Sequence, residues 1–283
     1  METGLIRIIR KGSRRLRPLP SGVRTSGTLP RVPKGVLFDV YGTLLQRLPS
    51  PRDQRELRTS IRRNGLGMTP DALRRTLEAE IAREHGRLKE NGVAHPEVRI
   101  EDIWRALFPS LGPAELRTVI VQYEIAAHPC WPMPGSRRLI AALLRRGLRL
   151  GIVSNAQFYT PLHFAALLGG RPEDIGFSRE LCFYSWTGGH AKPSPRMFEE
   201  AAAALGSAGV PRNEVLMVGN DPANDIEAGA RAGFMTVLVC ADRRSAFPES
   251  AGTASPANAV IGRLPHLLSV LDAARPRPRR SLR

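Results

Sequence analysis

Six short apolar runs constrain this chain most: residues 35–40, 148–154, 181–184, 215–218, 236–240 and 259–261. Most are continuous rather than alternating. A strand with one wet face alternates apolar and polar residues, whereas a strand covered on both faces does not. Helical patterns lie between the runs. Residues 136–146 carry Leu139, Ile140, Leu143 and Leu144 on one face, with Gly147 as the stop. Ser194 is the expected N-cap of a second helix, with Pro195 at its first position and Met197, Phe198, Ala201, Ala202 and Leu205 inside. Strand and helix alternate, which predicts an α/β fold with a doubly wound, mostly parallel, Rossmann-like sheet.

The alternation breaks between residues 48 and 129, where every pattern is helical. Thr69-Pro70-Asp71 opens one helix, Glu101-Asp102 a second and Pro113 a third. Their apolar stripes read as core contacts. The expected organisation is an α/β core at 34–48 and 131–272, an inserted all-helical cap at 49–130, and basic tails at 1–33 and 273–283. The insert leaves and re-enters at the carboxyl edge of the sheet, where such folds bind ligands.

The net charge of +16 suggests nucleic acid until it is located. Residues 1–35 carry +8 and residues 275–283 carry +5, so only +3 is left for everything between. The tails are read as solvated, disordered arms rather than a nucleic-acid site. The N-terminal arm has no apolar core of secretory length. It is Arg-rich and acid-poor, so a transit peptide, an over-extended start and a plain arm all fit. No run is long and apolar enough to span a membrane. Three scattered cysteines without a CxxC pair argue against a disulfide framework or zinc site and point to a reducing, cytoplasmic compartment.

Polar residues collect where the runs end. Asp39 ends the first, Ser154-Asn155 the second, Lys192 follows the third, and Asp221 and Asp225 follow the fourth. Singly, each has a plain explanation: turn chemistry for Ser-Asn, solvation for Lys192, helix capping for Asp225. Together, in order and all on one edge, they describe a site.

With these residues the chain resembles the haloacid dehalogenase-like hydrolases over residues 34–271. The resemblance rests on Asp39-Val40-Tyr41-Gly42-Thr43-Leu44 and on Gly219-Asn220-Asp221-Pro222-Ala223-Asn224-Asp225. It implies an enzyme with Asp39 as nucleophile, forming a covalent intermediate that water hydrolyses. Lys192 and Ser154, with the backbone at Asn155, would hold the transferring group, and Thr43 would shape the loop. Mg²⁺ would be held by Asp39, the Tyr41 carbonyl, Asp221 and Asp225. The first expectation is therefore Mg²⁺-dependent hydrolysis of a small phosphorylated substrate.

Tyr41 departs from that pattern. Family phosphatases place a second Asp there as general acid and base, a task poorly suited to a phenol of pKa about 10. Asp-x-Tyr-Gly-Thr is the form of the metal-independent 2-haloacid dehalogenases, whose halide leaves without a proton. The fourth motif disagrees with that reading, because those enzymes resemble Ser-Ser-Asn-x-x-Asp there. Phe198 also stands where they tend to have Tyr. A dehalogenase is the alternative, and a catalytically weak binding member the third. The acid–base group is left open among solvent, the leaving group and an insert residue such as His85.

Overall fold

The computed structural model describes residues 2–13, 15, 17–48, 54–244 and 256–275. All six apolar runs are strands: β2 (Gly35–Phe38), β5 (Arg149–Ser154), β6 (Phe177–Tyr184), β7 (Val215–Gly219), β8 (Met235–Val239) and β9 (Ala259–Ile261). With β1 (Ser26–Gly27) they form one sheet in the order β1-β9-β8-β7-β2-β5-β6. Every pairing is parallel except β1 on β9. The chain builds outward from β2 in one direction through β5 and β6, then in the other through β7, β8 and β9. The direction reverses between β2 and β7, and the crevice outside that reversal is the ligand position of doubly wound sheets.

The continuous runs are explained by burial on both faces. Val36 and Phe38 of β2 pack with Leu150, Ile152, Leu216 and Val218 on one face. Leu37 packs with Val153, Met217 and Phe198 on the other. Helices α6 (Ser136–Arg145), α7 (Thr160–Leu167), α8 (Ser185–Gly188), α9 (Arg196–Ser207), α10 (Ala228–Arg231) and α11 (Leu267–Ala273) connect and flank the strands. Helix α9 starts one residue later than expected, with Pro195 at the cap position and Ser194 Oγ accepting from the Arg196 amide (3.4 Å).

The insert holds α2 (Gln54–Arg63), α3 (Pro70–Glu90), α4 (Ile100–Leu107) and α5 (Pro113–Ala127). Thr69 caps α3 by accepting from the Ala72 amide. A two-stranded ribbon absent from the sequence reading brings the insert's entry and exit together: β3 (Leu45–Arg47) pairs antiparallel with β4 (Cys130–Pro132).

The N-terminal arm is the main correction. Residues 2–12 form a helix, α1 (Glu2–Gly12), with Leu5 and Ile9 buried. Its cause is ordinary amphipathicity, with apolar residues at i and i+4, Glu2 in the first turn and Arg10 and Lys11 in the last. Leu5 and Ile9 join Ile61, Leu116 and Ile120 of the insert and Leu162 of α7 in one apolar cluster. The following segment is also part of the core: Leu29 is buried within it, and the Arg243 amide donates to Leu19 O. At the other end residues 276–283, most of the expected C-terminal tail, lie outside the described residues. Among the described residues no helix is long and apolar enough to cross a membrane.

Candidate active site

Asp39 follows β2 directly, its amide bonded to Val218 O (2.9 Å). Its two carboxylate oxygens are treated differently. Oδ1 accepts from Ser154 Oγ (3.0 Å) and Lys192 Nζ (2.8 Å), whereas Oδ2 has only Thr43 Oγ1 at 3.4 Å. Lys192 Nζ also donates to Asp225 Oδ1 (2.5 Å) and Val153 O (3.0 Å), so all three ammonium protons are used. Asn155 reads the backbone of Lys192 from both sides: Oδ1 accepts from its amide (2.7 Å) and Nδ2 donates to its carbonyl (3.1 Å). Four strand ends thus bring Asp39, Ser154, Asn155, Lys192 and Asp225 together.

Asn155 is half-buried and the other four are buried, with Asp225 and Ser154 at 0% exposure and Lys192 at 5%. Two carboxylates therefore share one ammonium in a dry setting. Burial works against the charged lysine, yet Asp225 and Asp39 hold its pKa above the ordinary range. Burial pushes the Asp225 carboxyl up to about 7. Lys192 opposes that rise and Asp39 adds to it.

Two of the expected metal ligands point elsewhere. Asp221 caps its own turn: Oδ1 accepts from the Ala223 and Asn224 amides (3.0 Å each) and Oδ2 from Asn224 Nδ2 (2.7 Å). The helix-cap reading therefore belongs to Asp221, with Pro222 opening a π-helical turn over Pro222–Glu227. Asp225 faces Lys192 through Oδ1 and accepts the Asp221 amide on Oδ2 (3.0 Å). The residue this strand end turns toward the nucleophile loop is Asn220, whose Oδ1 accepts from Thr43 Oγ1 (3.2 Å). Gly42 (φ +93°) packs on that amide so closely that a Cβ there would lie 2.5 Å from Asn220 Nδ2. The expected quartet does not fit Mg²⁺. One carboxylate is spent on a helix cap, and the other two already share the Lys192 ammonium. Among the described residues, no three acidic, histidine or cysteine side chains gather as a metal set.

Tyr41 is accounted for by contacts the sequence could not show. Its hydroxyl lies 2.9 Å from both Thr160 Oγ1 and His163 Nδ1 at the start of α7. Burial raises the phenol pKa well above 10 and lowers that of His163 to about 4, so both rings are neutral at pH 7. The Arg47 guanidinium stands 5.3 Å from the Tyr41 ring centroid and pairs with Glu124 of α5 (2.7 Å). His85 lies on α3, and no contact joins it to Asp39. A cavity of about 580 Å³ opens on the insert side, lined by Leu77, Trp104 and Tyr123 and, toward the core, by Arg47, Gln157 and Tyr159.

A family model described as haloacid dehalogenase-like hydrolase matches residues 33–233. No curated protein matches the chain. Among solved structures, a HAD phosphatase from Thermococcus onnurineus is 22% identical, with TM-score 0.54 over 86% of this chain and 100% of that one. A 2-haloacid dehalogenase from Pseudomonas syringae pv. Tomato DC3000 is 22% identical, with TM-score 0.57 over 84% and 98%. CbbY from Rhodobacter sphaeroides, solved in complex with phosphate, is 19% identical, with TM-score 0.52 over 85% and 99%. At these identities the likeness shows a shared fold.

Proposed function

The chain belongs to the haloacid dehalogenase-like hydrolases, and on that premise we propose that it uses Asp39 as a covalent nucleophile without a divalent cation, on a 2-halocarboxylic acid or similar small monoanion. The observation that carries this reading is the Lys192 ammonium set between Asp39 Oδ1 and Asp225 Oδ1. The positive charge next to the nucleophile is then a side chain of the protein itself. A monoanion needs less compensation than a phosphate dianion. The order of the two enzyme readings is thus the reverse of the sequence expectation, because Asp221 is committed to its helix and Tyr41 to α7.

The two oxygens of Asp39 suit the two halves of the reaction. Oδ2, the less restrained, attacks the carbon bearing the halogen. The carbon–halogen bond breaks, halide leaves with the electron pair, and an ester forms on Asp39. Water then adds to the ester carbonyl carbon. Negative charge develops on Oδ1, which already faces Ser154 Oγ and Lys192 Nζ, so these donors act as an oxyanion hole. Asp225, raised to about 7, holds the proton that water gives up. Collapse breaks the bond from the carbonyl carbon to Oδ2, the departing alkoxide takes that proton to become the hydroxy acid, and the second proton of the water leaves to solvent as the carboxylate is restored. No step asks the Tyr41 phenol for a proton, which agrees with its high pKa.

The test is chloride release from 2-chloropropionate in excess EDTA, with Asp39→Asn as the control. Turnover that survives the chelator and disappears in the variant is the expected result. Mg²⁺-dependent phosphate release from an ester panel, with no chloride release, would replace this reading with the phosphatase one. No turnover of either kind would favour a ligand-binding role.

A further inference from the structure

Segment 95–100 lies between α3 and α4 of the insert, and it does more than cover the sheet edge. It makes hydrogen bonds to two core loops, those that carry Asn155 and Lys192. On the Lys192 side the contact is strand-like. The Ala191 amide donates to His95 O (2.9 Å) and the Glu97 amide to Gly189 O (3.0 Å), with Pro96 opposite His190. On the Asn155 side one side chain makes the contact. Gln157 Nε2 donates to Val98 O (2.8 Å), and Gln157 Oε1 accepts from the Ile100 amide (3.0 Å). A side-chain amide thus takes the place of a neighbouring strand. A third strand of contact runs through Ser185, whose hydroxyl donates to Glu97 Oε2 (2.7 Å) and accepts from the Ala156 amide (2.9 Å).

The two loops are themselves joined by the reciprocal pair between Asn155 and the Lys192 backbone. Asn155, Gln157, 95–100, 189–191 and Lys192 therefore form a closed ring of hydrogen bonds, and Lys192 carries it to the nucleophile through Nζ. Gln157 is the only side chain in that ring bonded to the insert backbone at two points. Without it the insert keeps its hydrogen bonds to the Lys192 loop but loses those to Gln157 on the Asn155 side, where packing on Phe158 and Tyr159 is left.

We propose that Gln157 is a positioning residue: through it, docking of segment 95–100 fixes the Asn155 and Lys192 loops in register about Asp39. This rests on the assignment of Asp39 as nucleophile and Lys192 as its cationic partner. Binding of the insert and alignment of the ammonium are then one event, and substrate reaches a fully aligned site only with the insert seated.

The experiment compares the full chain with Gln157→Leu, which keeps most of the volume and loses the two backbone hydrogen bonds and a longer one to Glu97 Oε1 (3.3 Å), and with Gln122→Leu, in the insert but away from the ring, as control. Hydrogen exchange is followed by mass spectrometry on peptides covering 95–100 and 186–194, together with chloride release from 2-chloropropionate. For Gln157→Leu the expected result is at least tenfold faster exchange in both peptides, although Gln157 bonds to only the first. kcat should fall at least tenfold with KM within threefold, and Gln122→Leu should change neither. Unchanged exchange over 186–194 would overturn the proposal, as would faster exchange there with an unaltered kcat. If the wild type releases no chloride, the functional reading fails, and the exchange of 186–194 still decides whether Gln157 couples the loops.

Discussion

Replacing Arg47 with methionine would strand a buried carboxylate at the base of the insert. Glu124 has a side-chain exposure of 7%, and its main partner is the Arg47 guanidinium, itself 32% exposed. Removing one member of a fully buried pair costs about 3–5 kcal/mol, and an exposed pair is worth about 0.5 kcal/mol. The partial exposure of Arg47 places Arg47→Met near 2–3 kcal/mol. Losing the guanidinium over Tyr41 adds about 0.5 kcal/mol. The sum is roughly 3 kcal/mol, which for a chain of this size lowers Tm by about 5 °C. The effect depends on pH with a defined sign. Burial pushes the Glu124 carboxyl up, but Arg47 and His128 outweigh it and hold the group well below the usual carboxylate range. In the wild type the unfolded chain takes up a proton here near pH 4.3 while the folded chain does not. This part of the stability is therefore complete above that pH and drains away below it. The gap between wild type and Arg47→Met should be widest at neutral pH and narrow toward pH 3.5. Urea titrations at several pH values measure it. Adding Glu124→Gln to the variant should restore more than half of the loss at pH 7. A neutral-pH loss under 1 kcal/mol, or a gap that widens in acid, would refute the reasoning.

Two further substitutions test separate parts of the account. Tyr41→Phe removes a hydroxyl shared by Thr160 and His163. It should cost about 1–2 kcal/mol in denaturant titration and leave kcat within a few-fold, whereas loss of turnover in a folded variant would make the phenol an acid after all. Ile9→Asp puts a charge where the native side chain is 0% exposed; about 3 kcal/mol of stability should be lost and α1 should become sensitive to proteolysis.

Much of this arrangement is legible in the sequence because the signals are local. A three-residue run such as Val-Leu-Phe with a carboxylate after it declares a buried strand and a reactive end together. Parallel strands then force Asp39, Ser154 and Lys192 onto one edge. What escapes depends on chain direction over one or two residues, or on long-range pairing. Asn220 and Asp221 are neighbours, and only the turn after β7 decides which faces Thr43; the Asp-Pro pair was the available sign that Asp221 caps. Ribbon β3–β4 has strands of three residues, too short for any period. Gln157 carries no motif at all, since its partners are backbone groups more than fifty residues earlier. Helix α1 was hidden differently: its arginines dominated the composition, while the spacing of Leu5 and Ile9 already showed a helical face.

That first helix also dictates an order of assembly. Leu5 and Ile9 are made well before the surfaces that cover them, which belong to α5 and α7. At about 5–20 residues per second, α1 waits roughly ten to thirty seconds for residue 167 to be made. Until then an arginine-rich amphipathic segment stands open to chaperones, membranes or targeting factors. The same eleven residues thus stand open early in the life of the chain and are later docked through Leu5 and Ile9.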